Sequence, residues 1–345
     1  MSFFSERDEE NINKTREILE SLPSFVQEFF VGISLRTSTL TRLGYAVDLK
    51  IFFDYLIKRK FKTLKIDEIT LHDIEKIEVL DIELFIEHLS SYVLDGRKLK
   101  CGKNAKLRKL SAVRSFFKYF FKRDKLKKDV SSKIEMAGPK EQPIIKLEVD
   151  EIVKLLNSVE SGENFGGRQQ KYNENLRIRD VAILTLFLGT GIRISELVGL
   201  DVNDIFLETN SFSVTRKGGG KSILYFSDEV LRALEAYLAW RNDKLKKKNI
   251  KEEALFLSLQ DTRISVRAAQ ILVKKYASAV SPLKKITPHK LRSTYGTTLY
   301  NETRDIYVVA DVLGHKDINT TKKHYAAISD ENRRAASRVV KLRDD

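Results

Sequence analysis

The stretch "EMAGPKEQPIIKL" spans residues 135–147 and carries Gly138, Pro139 and Pro143. Each proline removes a backbone donor and clashes with the preceding turn, so no helix runs through this stretch. Sequence with helical periodicity lies on both sides of it. It therefore divides the 345-residue chain in two, matching the roughly 100–200 residues of an ordinary domain. The expected organisation is a first domain at 1–137, a linker at 138–146 and a second domain at 147–345.

The first domain reads as all helical. In "SLRTSTLTRLGYAVDLKIFFDYLIKRK", Leu40, Leu43, Val47, Ile51, Phe52 and Tyr55 recur at helical spacing behind capping threonines. In "KNAKLRKLSAVRSFFKYFFKRDKLKKD", Leu107, Leu110, Val113, Phe116, Phe117 and Phe120 form an inward stripe. Lys106, Arg108, Lys109 and Arg114 fall off it and are candidate phosphate contacts. No strand is expected here. The second domain mixes classes. "EVDEIVKLLNSV" is helical, residues 161–176 read as a polar loop, and "RIRDVAILTLFLGTG" is a buried helix ending at glycine. "DVNDIFLETNSFSVTRKGGGKSILYF" alternates and turns like a small antiparallel sheet. Helices return afterwards. The fold class is mainly α, with a mixed α+β second domain.

Charge narrows the partner. A formal net charge of +14 suits a polyanion, with nucleic acid favoured over a basic surface that serves only solubility. The single cysteine, Cys101, excludes an intramolecular disulfide framework and a thiolate metal site. No apolar run approaches a membrane span, and "MSFFSERDEENINK" is charged too early for a secretory signal. A cytoplasmic protein with no membrane partner is expected.

Four segments of the second domain hold polar residues that packing alone does not explain. In "GTGIRISEL", Arg193 follows a glycine turn and opens a helix, with Ser195 and Glu196 in its first turn. In "VTRKGGGKSI", Lys217 sits at the mouth of a hairpin tipped by glycines, with Lys221 as its rival. The spacing is not that of a P-loop. In "ITPHKLRSTYGTTLY", Pro288 starts a helix and places His289 and Arg292 three apart on one face. In "LGHKDINTTKKHY", His315 follows a Leu-Gly turn and Tyr325 comes ten residues later. Taken singly, each also fits a surface role: a salt bridge for Arg193, a plain turn for the glycines, a packing residue for Tyr325.

Together they are the groups that metal-free phosphodiester chemistry needs. Two arginines neutralise non-bridging oxygens in a phosphorane-like transition state. A histidine moves the nucleophile's proton, and a lysine protonates the departing 5′ oxygen. A tyrosine supplies the attacking oxygen. With a reference pKa of about 10, it needs that cationic setting. No carboxylate cluster or His-Glu-x-x-His suggests a metal enzyme.

"TGIRISELVGL", "TPHKLRSTYGTTLY" and "LGHKDINTTKKHY" resemble the signature boxes of the tyrosine recombinases, the phage integrase and Xer family. The resemblance covers nearly the whole chain. "SVTRKGGGKSI", "EEALFLSLQDTRISVRAAQILVKKY" and "LPSFVQEFF" are most similar to the single-protein Xer recombinases of Gram-positive bacteria. It implies Arg193 and Arg292 as the arginine pair, Lys217 as the hairpin lysine and His289 as acid/base. His315 is then the second phosphate ligand and Tyr325 the nucleophile. It also implies a helical core-binding domain that grips DNA, no cofactor, double-stranded DNA with a specific site as partner, and a homo-tetramer on two duplexes. His315 is expected on a fixed helix and Tyr325 on a movable one. The tail after Tyr325, with Ala335, Ala336, Val339 and Val340 as a stripe, is expected to dock on a neighbouring protomer. Ser293 stands where the family often has histidine, and "YAAIS" replaces its usual Thr-His. Two other readings remain open: a type IB topoisomerase-like relaxing enzyme, and an architectural DNA-binding protein without catalysis.

Overall fold

The computed structural model describes residues 3–94, 96–136, 145–162, 168–216, 219–315, 317–318 and 321, with backbone only for 168–175. The chain forms two compact units, 1–140 and 141–345.

The first unit contains α1 (Phe3–Glu20), α2 (Phe25–Ile33), α3 (Thr39–Arg59), α4 (Leu71–Glu75), α5 (Val79–His88), β1 (Tyr92–Leu94), β2 (Arg97–Leu99) and α6 (Lys103–Phe121). Its core is aromatic. Phe29, Phe52, Phe53, Phe85, Phe116, Phe117 and Phe120 are fully buried, and their rings meet largely edge to face, as in Phe52–Phe85 at 5.0 Å. That arrangement satisfies the ring quadrupoles while burying large apolar area. The face of α3 differs from the expected one. Leu49, Phe53 and Leu56 join the core, whereas Leu40 and Val47 are exposed.

The β1–β2 hairpin corrects the expectation of an all-helical domain. Leu94 pairs with Arg97 across a two-residue connection in which Gly96 has φ +75°. Asp-Gly is a strong two-residue hairpin signal, because such turns need positive φ. Strands of three residues are too short for a periodicity to register.

The second unit contains α7 (Val149–Ser161), α8 (Arg168–Thr190), α9 (Ile194–Val198), β3 (Ile205–Phe206), β4 (Ser211–Thr215), β5 (Lys221–Tyr225), α10 (Asp228–Lys248), α11 (Val266–Val280), α12 (Pro288–Thr303) and α13 (Ile306–Leu313). The strands form one antiparallel sheet in the order β3-β4-β5, with Thr215 opposite Lys221 at the mouth of the β4–β5 hairpin. Helix α8 packs against α7, α10 and α12, and Ala182–Phe187 include its fully buried centre. The helix begins at Arg168, inside the stretch read as a loop at 161–176. Gln, Lys, Glu and Leu are good helix formers, and the helix runs through them. No helix among the described residues is long and apolar enough to cross a membrane. Lys217, His324, Tyr325 and the tail stripe lie outside the described residues.

Candidate active site

Three segments converge on the C-terminal end of α13. The first is the turn between α8 and α9. Gly191 has φ +62°, and a Cβ there would stand 2.5 Å from Tyr295 Cδ1, so the turn requires glycine. Arg193 follows as the N-cap of α9. Its backbone amide donates to Glu196 Oε2 at 3.0 Å and its Nη1 to Glu196 Oε1 at 2.8 Å. Its Nη2 donates to the Gly314 carbonyl at 2.9 Å.

The second segment is α12, started by Pro288 at its first position. Arg292 is 3% exposed. It donates from Nη1 to the Gly191 carbonyl at 2.7 Å and from Nη2 to the Leu313 carbonyl. Nη2 also lies 3.3 Å from His315 Nε2. His289, one turn earlier, is exposed. Ser293 is buried and donates to the His289 carbonyl at 3.0 Å, so it acts within the helix at the place where the family often has histidine.

The third is the base of the β4–β5 hairpin. Arg216 donates from Nη2 to the Val312 carbonyl at 3.0 Å, and Nη1 lies 3.4 Å from both Glu196 carboxylate oxygens and from the Leu313 carbonyl. Its amide donates to the Gly220 carbonyl at 2.7 Å, closing the hairpin. Lys221, the rival lysine, is exposed at the start of β5.

The target of these arginines is chemically sensible. The last carbonyls of a helix lack intrahelical donors and carry the negative end of its dipole. Val312, Leu313 and Gly314 offer theirs to Arg216, Arg292 and Arg193. Gly314 itself has φ +62°, and a Cβ on it would meet Arg216 Cζ at 2.8 Å. His315 therefore sits in the turn beyond α13, which corrects the expectation that it lies on a helix. A glycine in left-handed conformation ends the helix and turns the next side chain back toward Arg292. On its other ring nitrogen, His315 Nδ1 lies 2.7 Å from Oγ1 of the fully buried Thr321.

Arg193, Arg292 and His315 are thus brought together, and Glu196, Arg216 and Thr321 join them. Sequence reasoning treated Glu196 only as a first-turn residue, although the Arg-x-x-Glu spacing is that of a capping box with an ion pair. Nothing in the sequence marks Arg216 apart from its neighbour Lys217. Thr321 stands in the sequence as one of two adjacent threonines, with nothing to set it apart. Among the described residues of this cluster there are three guanidiniums, and the carboxylate of Glu196 pairs with those of Arg193 and Arg216. The excess positive charge, held by carbonyl dipoles, suits an anion such as phosphate.

The basic candidates of the first unit behave differently. Lys109 is 5% exposed and its Nζ lies 2.8 Å from Asp48 Oδ1, so it does not present its charge to solvent as the sequence reading requires. Helix α6 begins at Lys103, which turns position 109 onto the buried face. Arg108 forms a two-pronged pair with the same Asp48 at 2.5 and 2.8 Å but is half exposed. Lys106 donates to Ser90 Oγ at 2.6 Å, and Arg114 is half-buried.

Residues 146–332 match the phage integrase family. Over 337 residues the chain is 32% identical to the tyrosine recombinase XerC of Caldanaerobacter subterraneus subsp. tengcongensis, covering 94% of this chain and 89% of that protein. It is 28% identical over 353 residues to the tyrosine recombinase XerS of Streptococcus equi subsp. equi, covering 95% and 98%. A crystal structure of the XerH site-specific recombinase bound to palindromic difH substrate, a post-cleavage complex, shares the fold with a TM-score of 0.68 at 18% identity, over 94% of this chain and 88% of that one. The chain belongs to the phage integrase family.

Proposed function

We propose that this protein is a site-specific DNA recombinase that cuts and rejoins double-stranded DNA through a 3′-phosphotyrosyl intermediate. The observation that carries the reading is the convergence of Arg193, Arg292 and His315 at one helix end. In this reading the two arginines and His315 bind the non-bridging oxygens of the scissile phosphate. The Tyr325 hydroxyl attacks phosphorus and gives its proton to His289. The bond to the 5′ oxygen breaks, and Lys217 protonates that oxygen. The phosphate ester now links the 3′ end to tyrosine, so its bond energy is retained. A 5′-hydroxyl from a partner duplex attacks the phosphotyrosine, releases the tyrosine and completes strand exchange.

A specific DNA site, a homo-tetramer on two duplexes and a cytoplasmic location belong to the same proposal. So do phosphate contacts from Lys106, Arg108 and Arg114 in the first domain, 1–137. The relatives named as Xer tyrosine recombinases support site-specific exchange over relaxation or passive binding. The test has two stages. DNA captured on the protein from fragmented genomic DNA is sequenced to define the site. Two duplexes carrying that site are then incubated with the protein. Recombinant joints are expected; relaxation of a site-bearing plasmid without recombinant joints would favour a topoisomerase.

A further inference from the structure

Two contacts of His315 are of unequal kind. Arg292 Nη2 lies 3.3 Å from its Nε2, and Thr321 Oγ1 lies 2.7 Å from its Nδ1. A guanidinium has donors only, so Nε2 accepts in that contact. The proton of the neutral ring is then on Nδ1, and the Thr321 hydroxyl accepts it. This tautomer follows from the donor inventory of the network.

It conflicts with the role of His315 as a phosphate ligand. A phosphate oxygen offers only lone pairs, so Nε2 must carry a proton to bind one. The ring has two routes: it gains a second proton, or its one proton leaves Nδ1 while another arrives at Nε2. The second route leaves the ring neutral and requires Nδ1 to become an acceptor. A threonine hydroxyl serves both states, because it has one rotatable donor and two lone pairs. Valine has the same shape and serves neither. Thr321 is fully buried, so water does not take over its role.

We infer that Thr321 is a positioning residue that lets His315 exchange tautomers in place. Without DNA, Thr321 accepts from Nδ1–H while Nε2 accepts from Arg292. With phosphate bound, Arg292 turns a donor to the phosphate, Nε2–H does the same, and the Thr321 hydroxyl rotates to donate to Nδ1. The DNA-bound half rests on the recombinase reading above; the DNA-free half does not.

The test reads ring nitrogens directly. The chain has five histidines, so histidine-selective ¹⁵N labelling gives a sparse spectrum, and His315→Gln identifies the His315 signals by their loss. The DNA-free protein at mildly alkaline pH should show the neutral Nδ1–H form. The Tyr325→Phe protein on the duplex that wild type captures should show the neutral Nε2–H form. In single-turnover cleavage, Thr321→Val should be slower by roughly 10- to 100-fold at saturating DNA, the loss expected when a buried hydrogen-bonding group is left unpaired. Thr321→Ser should restore the rate. An Nε2–H or doubly protonated ring without DNA overturns the inference. So does an Nδ1–H ring on DNA, or a Val variant as fast as wild type. Should no DNA be captured, the recombinase reading fails, while the DNA-free spectrum still decides the resting tautomer.

Discussion

Lys109 and Arg292 are both buried cations, and the difference between their partners separates structure from site. Lys109 faces the buried carboxylate of Asp48, which neutralises it. Arg292 is held by the carbonyls of Gly191 and Leu313, which orient its guanidinium at the end of α13. Asp48→Ala should therefore strand a buried ammonium and lower stability by about 3–5 kcal/mol in urea unfolding. A loss under 1 kcal/mol would show that water or other groups already solvate Lys109. At this scale the sequence was legible where residue type and local signal agreed. Arg193 after a glycine turn, Arg292 one turn into a proline-started helix and His315 after Leu-Gly are the candidates that meet at the end of α13. It was not legible for Lys109, because the basic residues of α6 look alike until the helix start fixes which of them points inward. Arg216 is not legible because its partners, Glu196 and Val312, lie 20 and 96 residues away; Thr321 lies near His315 in sequence, but their contact depends on how Gly314 turns the chain.

Short elements carry the geometry, and their caps are the places to test it. The side chain of Asp305 accepts from the amides of Tyr307 at 2.7 Å and Val308 at 3.3 Å at the start of α13. Asp305→Ala should cost about 1 kcal/mol. Gly314→Ala, at the other end, meets both a positive φ and the Arg216 guanidinium. It should cost about 1–2 kcal/mol and slow cleavage more than Asp305→Ala at matched stability. Thermal melts with single-turnover cleavage compare them; equal slowing would detach Gly314 from the site. A pH effect belongs to α4. Hydrogen bonding from Lys76, then from Thr70, lowers the Asp73 carboxyl to about 2. Its folded value is depressed, so its contribution is present above the ordinary carboxylate value of about 4 and is lost as pH falls through about 2. Asp73→Asn should flatten that part of the acid-unfolding curve; an unaltered curve would mean that the cap adds nothing. Elements were legible where they were long. The β1–β2 hairpin was visible only through Asp95-Gly96, and the first turns of α8 were hidden by polar composition.

For the whole molecule, the net charge of +14 and the proline-bearing linker bound the problem before any motif does. The mainly helical fold with a small antiparallel sheet in the second unit follows from periodicity. The cluster at the end of α13 does not, because it is assembled from segments as far as 121 residues apart in sequence. Charge makes one prediction here. Replacing Lys106, Arg108 and Arg114 together by glutamine should lower the slope of log affinity against log salt by up to about three units, at roughly 0.9 per phosphate contact. An unchanged slope would remove them from the interface. Tyr325 is proposed to carry the cut strand. The direct measurement is to denature a cleavage reaction in detergent, digest it, and locate the DNA-bearing peptide by mass spectrometry. The expected result is a phosphotyrosine linkage at Tyr325 to a 3′ end, lost in Tyr325→Phe while DNA binding persists. A covalent complex that survives in Tyr325→Phe, or a nucleotide attached elsewhere in the chain, would contradict it.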